Sequence, residues 1–243
     1  MDETITVSPQ TVYKNVFGAT IGTIEFNQND FSIKLMEDSW VWKLNDNSSL
    51  TLPRLPLTGD FQYNHAGAAL LALKILEPTI INNNNNNNNN LYNGIKNISL
   101  KGRYQIISTS PEIIIDVAHN ADSAEKLRDN LEKYPKKNTY AVIGLLKDKD
   151  VYSLVKPMLN VIDRWYCGTI DNQRGMNSDE IKARMLSLVD KNSIVTYDNM
   201  IDSFVSAMSK LQANDRLIIY GSFYTVSEFL DYYDNIEKLE DIS

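Results

Sequence analysis

The sequence predicts an α/β protein whose second half is a doubly wound, mostly parallel sheet, preceded by a region of β-hairpins and one small apolar helix. Three observations carry that expectation. Downstream of Arg103, short apolar runs alternate with segments of helical apolar spacing. Upstream, stretches of alternating polarity are joined by Asn, Asp and Ser clusters that suit turns. Between them, Asn82 to Asn90 are all asparagine, with no side chain able to join a core.

Within residues 22–57, Phe31-Ser-Ile-Lys-Leu35 and Trp40-Val-Trp-Lys-Leu44 show the period of two of half-buried strands and read as hairpins. Ala66 to Leu76 (AGAALLALKIL) reads as a buried helix ended by Pro78, and Asn82 to Asn90 as a disordered insert. Five strands are then expected: Ile113–Val117, Tyr140–Gly144, Arg164–Cys167, Ser193–Val195 and Arg216–Tyr220. Helices are expected around 122–134, 150–160, 178–188, 198–211 and 224–234; Ala124, Leu127 and Leu131 mark the apolar stripe of the first. Strands covered by helices on both faces read as continuous apolar runs, which is the pattern here.

In such sheets ligands sit beyond the carboxyl ends of the strands, so the residues that follow each run are the candidates for function. After the first run come Asp116, His119 and Asn120. A carboxylate, an imidazole and an amide at a helix N-terminus can bind nucleotide hydroxyls, an anion or an ammonium group. Alternatively Asp116 merely ends the strand, Asn120 or Asp122 caps the helix, and His119 is a surface imidazole. Arg103, in Gly102-Arg-Tyr-Gln105, offers a planar fork for a triphosphate or is a solvated linker residue. Lys147-Asp-Lys-Asp150 reads as a charged turn, or as a solvated loop with Asp150 as a cap. In Gly221-Ser-Phe-Tyr224, the glycine lets backbone amides face a ligand, and Ser222 is either a ligand contact or an N-cap.

Composition removes other classes. With 31 acidic against 24 basic residues the net charge is -7, which leaves no basic footprint for nucleic acid. No apolar run approaches the ~20 residues that span a bilayer, and the start has no signal-peptide pattern. Cys167 is the single cysteine, so a reducing, cytoplasmic setting is expected. No G-x-x-x-x-G-K-[ST] and no G-x-G-x-x-G occurs. The two histidines, His65 and His119, cannot build a His-rich site, so no metal ligands are assigned.

Taken in order, GRYQII, IIIDVAHNADSA, AVIGLLKDKD, RWYC, QRG and IIYGSFYTVSEFL resemble the C-terminal domain of the dihydrofolate synthase/folylpolyglutamate synthase branch of the Mur ligase superfamily. Upstream, DFSIKL, DSWVWKL, LPRLPL and GDFQYNHAGAALLAL resemble the tail of that family's central ATPase domain. The resemblance implies residues 1–98 as the remnant of the ATPase domain, 99–103 as an interdomain linker, and 104–243 as the C-terminal glutamate ligase domain. It implies an ATP-dependent ligase: the carboxylate of dihydropteroate or a reduced folate is phosphorylated with magnesium assistance, and L-glutamate's amine attacks the acyl phosphate. A monomer is expected, without nucleic acid or membrane partners.

Carried over residue by residue, the resemblance puts Arg103 on the ATP phosphates and Asp116 on the nucleotide. It puts His119, as the catalytic residue, with Ser222 and Tyr224 on the glutamate side. His65, with Asn64 beside it, stands where the family has a nucleotide-binding asparagine, and Gln173 where it commonly has proline. The family's phosphate loop and magnesium ligands belong to a P-loop domain upstream of the part matched here. Two readings follow: the C-terminal part of a folate-pathway ligase, working with a separate P-loop domain, or a non-catalytic nucleotide- or glutamate-binding module. An unrelated doubly wound domain would require the ordered matches to be coincidence.

Overall fold

A computed structural model describes residues 30–77, 81 and 85–240, with side chains over 30–77, 81 and 89–236. Ahead of residue 30 it describes four two-residue strands: β1 (Thr11–Val12) pairs with β4 (Ile24–Glu25), and β2 (Asn15–Val16) with β3 (Ala19–Thr20). The expected hairpin region at 22–57 therefore lies partly outside the described residues, at 22–23 and 26–29. The chain forms two compact units, residues 1–100 and 101–243.

The first unit holds an antiparallel sheet of β5 (Phe31–Leu35), β6 (Ser39–Leu44) and β7 (Ser49–Pro53). Its alternation is the one read from the sequence: Phe31, Ile33, Trp40, Trp42 and Leu44 are buried together with Leu52. Trp40 Nε1 donates to Pro53 O at 2.9 Å, which satisfies the indole inside this core. Helix α1 (Phe61–Leu76) begins five residues before the apolar run that announced it, because Tyr63 also packs into the core. The asparagine run departs from expectation. Helix α2 spans Asn85–Lys96, so the segment that composition marks as a disordered insert is helical from Asn85 onward, while 82–84 lie outside the described residues. Asparagine is a weak helix former by under about 1 kcal/mol per residue. The second half of the helix supplies what the first lacks: Leu91 and Ile95 pack against the same core.

The second unit is a six-stranded sheet in the order β12-β11-β10-β13-β9-β8. The strands are β8 (Gln105–Thr109), β9 (Glu112–Ile115), β10 (Thr139–Ile143), β11 (Arg164–Gly168), β12 (Ile194–Tyr197) and β13 (Arg216–Tyr220). The five expected runs form the parallel part, each within two residues at either end. The sixth, β8, is an antiparallel edge partner of β9. Its residues are only half-buried or exposed, so it carries no apolar run for a sequence reading to find.

Alternate side chains of the parallel strands enter two cores. Ile114, Ala141, Ile143, Ile218 and Tyr220 lie in one, with α3 (Ala121–Glu132), α4 (Val151–Val155) and α5 (Ser178–Met185). Ile113, Ile115, Val142, Leu217 and Ile219 lie in the other, with α6 (Met200–Met208) and α7 (Phe223–Glu240). The helix expected over 150–160 is shorter: α4 passes at Lys156–Met158 into a 3-10 turn, because Pro157 has no N–H to continue the α-helical ladder. Asp150, Asn177 and Asn199 each accept backbone N–H bonds as N-caps of α4, α5 and α6.

The chain leaves β9 for β10, runs outward to β12, then returns to place β13 between β10 and β9. The strand order thus reverses beside β9 and β13, which is where a crevice opens at the carboxyl edge of such sheets. At that edge Gly221 has φ +116°, its N–H donates to Ala118 O at 3.0 Å, and an added Cβ would lie 2.7 Å from Gly144 O. Gly221→Ala is expected to destabilise the second unit by about 1–3 kcal/mol from backbone strain alone. Denaturant unfolding followed by Trp165 fluorescence checks this; an unchanged midpoint would contradict the assigned turn.

Candidate functional site

The site is built around the end of β9. Asp116 Oδ2 accepts the N–H of Tyr104 at 2.8 Å, and Oδ1 accepts the N–H of Ala118 at 2.7 Å. The first bond holds the segment that carries Arg103. Gly102 (φ +70°) and Tyr104 (φ +45°) both take left-handed backbone, so Arg103 sits on a sharp bend. Gly102 N–H donates to Gln105 Oε1 at 3.0 Å and Gly102 O accepts from Val117 N–H at 2.8 Å, which closes the bend against the β9 loop. Burial pushes the Asp116 carboxyl up to about 6, against the opposing pull of the Tyr104 and Ala118 N–H groups, Arg103 and His119.

His119 stands at the mouth of α3. Asn120 caps that helix: its Oδ1 accepts from Ser123 N–H at 2.9 Å, while Ser123 Oγ reaches back to the Asn120 N–H. Asn120 is therefore the cap that the structural alternative named, and His119 is left for another role. His119 Nδ1 lies 2.9 Å from Val117 O. A carbonyl can only accept, so Nδ1 donates to it, and the ring is held against the backbone through that nitrogen.

The turn after β13 supplies the third side. Ser222 is buried, and its hydroxyl is committed: Oγ accepts from Thr225 N–H at 3.0 Å and lies 2.9 Å from Thr225 Oγ1, which itself donates to Gly144 O at 2.8 Å. Since Thr225 has one hydroxyl proton, Ser222 must donate to it. Of the two roles read for Ser222, this geometry supports the cap of α7. Tyr224 is exposed at the same helix start. Phe223, to which the sequence reading gives no role, is 58% exposed, with its ring centroid 5.9 Å from Arg103 Cζ and 5.9 Å from the His119 ring. Its only sequence signal is an aromatic placed where the chain leaves a buried strand for the open edge.

The remaining candidates lie elsewhere. The Lys147–Asp150 turn docks on the Asn172–Gly175 loop: Lys147 N–H donates to Arg174 O at 2.8 Å, Lys147 Nζ to Gln173 O at 3.0 Å, and Arg174 pairs with Asp148 at 3.2 Å. His65 belongs to the first unit, on α1, with Nδ1 3.4 Å from Gln62 Oε1. Beside it Asn64 Oδ1 is buried without a hydrogen-bond partner, an acceptor that costs stability unless something donates to it. Among the described residues no three His, Cys, Asp or Glu side chains converge to hold a metal ion. None of the helices there is long and apolar enough to cross a membrane.

Residues 102–223, which contain Arg103, Asp116, His119, Ser222 and Phe223, match the family described as Mur ligase, glutamate ligase domain. The dihydrofolate synthase/folylpolyglutamate synthase of Escherichia coli (strain K12) is 32% identical over 185 residues, covering 76% of this chain and 41% of that protein. The structure of E. coli FolC in complex with DHPP and ADP superposes with a TM-score of 0.71 at 27% identity, over 86% of this chain and 47% of that one. A bifunctional folylpolyglutamate synthase/dihydrofolate synthase with Mn, AMPPNP and L-glutamate bound gives 0.67 at 26% identity, over 82% and 45%. The chain spans about half the length of the relatives it matches.

The raised Asp116 value has a sign that can be tested. The folded carboxyl titrates at about 6, above the ~3.9 of an unfolded aspartate. Its contribution to stability is therefore fully present below about pH 4 and is lost as pH rises through 6, by on the order of 2 kcal/mol. Carboxyl NMR should place the midpoint near 6, and Asp116→Asn should flatten the stability profile between pH 4 and 6; a midpoint below 4 would sink the account.

Proposed function

Given that this chain belongs to the Mur ligase family through its glutamate ligase domain, we propose that it forms the amino-acid-accepting part of an ATP-dependent ligase. The substrates are L-glutamate and the carboxyl group of dihydropteroate or a reduced folate. The observation that carries the reading is Arg103: its guanidinium makes no hydrogen bond or ion pair with any described residue, yet it is set on a closed bend beside Asp116 and His119. Five N–H donors left open at a strand-order reversal suit an oxyanion.

In this reading the γ-phosphoryl group of ATP passes to a carboxylate oxygen and ADP leaves. The amine nitrogen of glutamate then bonds to the acyl carbon, the C–O bond to phosphate breaks with its electron pair leaving on phosphate, and the amine gives up a proton to the departing phosphate. Arg103 neutralises the charge of the phosphates. Asp116 fixes the Arg103 segment and offers its remaining lone pairs to nucleotide hydroxyls. His119 Nε2 accepts a hydrogen bond from the glutamate amine, and Tyr224 lines the same approach. Asn64 and His65 are the nucleotide candidates of the first unit, and residues 99–103 serve as the linker between units. Magnesium, which the family uses, finds no ligand set among the described residues, and no step here is routed through it. We further propose a monomer in the cytoplasm, where the unpaired, buried thiol of Cys167 is at home.

One sequence observation favours the second reading, a binding module without turnover: the G-x-x-x-x-G-K-[ST] cradle does not occur in the 243 residues. The two separate in one assay. With ATP, magnesium, glutamate and dihydropteroate or tetrahydrofolate, this chain alone should release no ADP. With a family P-loop domain supplied in trans, ADP release should depend on glutamate, and Arg103→Ala should lower it about 10- to 100-fold. Glutamate-independent release, or full activity of Arg103→Ala, would overturn the ligase assignment.

A further inference from the structure

We propose that Phe223 is the positioning residue of Arg103: its ring holds the guanidinium by the flat face, so that every N–H edge stays available to a phosphate oxyanion. The inference deepens the ligase reading and rests on it for the identity of the anion.

An arginine that must meet a ligand has to be placed without being used up. A carboxylate anchor would take two of its five donors and neutralise its charge, whereas an aromatic face attracts the cation through the ring quadrupole and touches only the face of the guanidinium plane. Arg103 has an aromatic neighbour and no carboxylate pair among the described residues. Its Cζ lies 5.9 Å from the Phe223 centroid, and no described carboxylate pairs with it, although Asp116 is near enough to interact electrostatically.

Phe223 otherwise has little reason to be where it is. It is 58% exposed and belongs to neither core of the second unit, so its ring contributes little to the burial that holds the sheet. Its backbone, by contrast, is fixed. It opens α7 directly after the left-handed Gly221 and the buried Ser222 cap, whose hydroxyl chain runs through Thr225 to Gly144 O. Arg103 is fixed from the other side by the bend at Gly102 and Tyr104. Two rigid backbones therefore meet through one cation–ring contact, and the other neighbour of the ring is His119, at 5.9 Å and a 44° tilt. One exposed aromatic thus sets the spacing between the cation assigned to phosphate and the imidazole assigned to the glutamate amine.

The test uses the full chain with labelled arginine side chains. In the ligand-free protein the Arg103 side-chain signals, identified by their loss in Arg103→Lys, should be displaced by the ring current of Phe223. Phe223→Leu should return them to the values of a solvent-exposed arginine, and Phe223→Trp should keep the displacement. Arg103 signals unaffected by Phe223→Leu overturn the proposal, whatever the protein binds. ADP affinity by calorimetry is the second readout: Phe223→Leu should weaken it about 2- to 5-fold, and Arg103→Ala should cost less in that background than in the wild type. Strictly additive losses overturn the positioning role. Should the wild-type chain bind no ADP while the ring-current shifts behave as expected, the positioning stands and the nucleotide reading falls. Unchanged thermal unfolding of Phe223→Leu shows that the fold is intact in each comparison.

Discussion

The Asp116 carboxylate accepts the N–H of Tyr104 on one oxygen and that of Ala118 on the other, and by those two bonds it ties the entry of the second unit to the end of its strand β9. Without the Tyr104 bond the left-handed bend at Gly102 and Tyr104 would lose its anchor, and Arg103 with it. Without the Ala118 bond the loop that carries His119 would lose its exit angle from the strand. Burying a carboxylate is costly, and the raised titration of Asp116 measures that cost. Two backbone donors and a nearby cation offset part of it. The carboxylate is thus a structural joint at the carboxyl edge of the sheet.

The parallel sheet makes the joint possible. Its strands are covered on both faces, so alternate residues of β9, β10 and β13 enter different cores and the strands cannot slip by one residue without exchanging them. That rigidity places the ends of β9 and β13 side by side, with Gly221 N–H on Ala118 O and Asp116 N–H on Ile219 O. The polar residues beyond these ends are then held to within a side chain's reach of one another, which is what binding at a strand-order reversal requires. Caps do the remaining local work: Asn120 and Ser222 saturate helix starts, which frees the neighbouring His119 and Phe223 side chains to face outward.

Much of this was legible in the order of residues. The five apolar runs locate the five parallel strands because a strand buried on both faces must be apolar throughout, and a turn of polar residues after each run marks the edge where ligands sit. Asp116 and His119 could be nominated because they follow the first run, and Arg103 because it stands where the pattern of the sequence changes. The strand β8 was not among the five expected strands, and its residues are only half-buried or exposed. The helix through the asparagine run was equally hidden: local propensity argues against it, and only the packing of Leu91 and Ile95 on a distant sheet reverses the balance.

What the amino-acid sequence determined by itself, then, is the class of fold, the carboxyl edge of its strands and the residue types available there. These follow from periodicity and from the spacing of polar residues after apolar runs, which are local properties. What only the tertiary structure decided is the use of each group. Ser222 and Asn120 became caps, His119 became a donor through Nδ1 to Val117 O, and Phe223 became the partner of Arg103, 120 positions away in the chain. The caps and the His119 bond join residues two or three apart and so lie within reach of local reading, whereas the contact of Phe223 with Arg103 depends on the sheet that sets β13 beside β9.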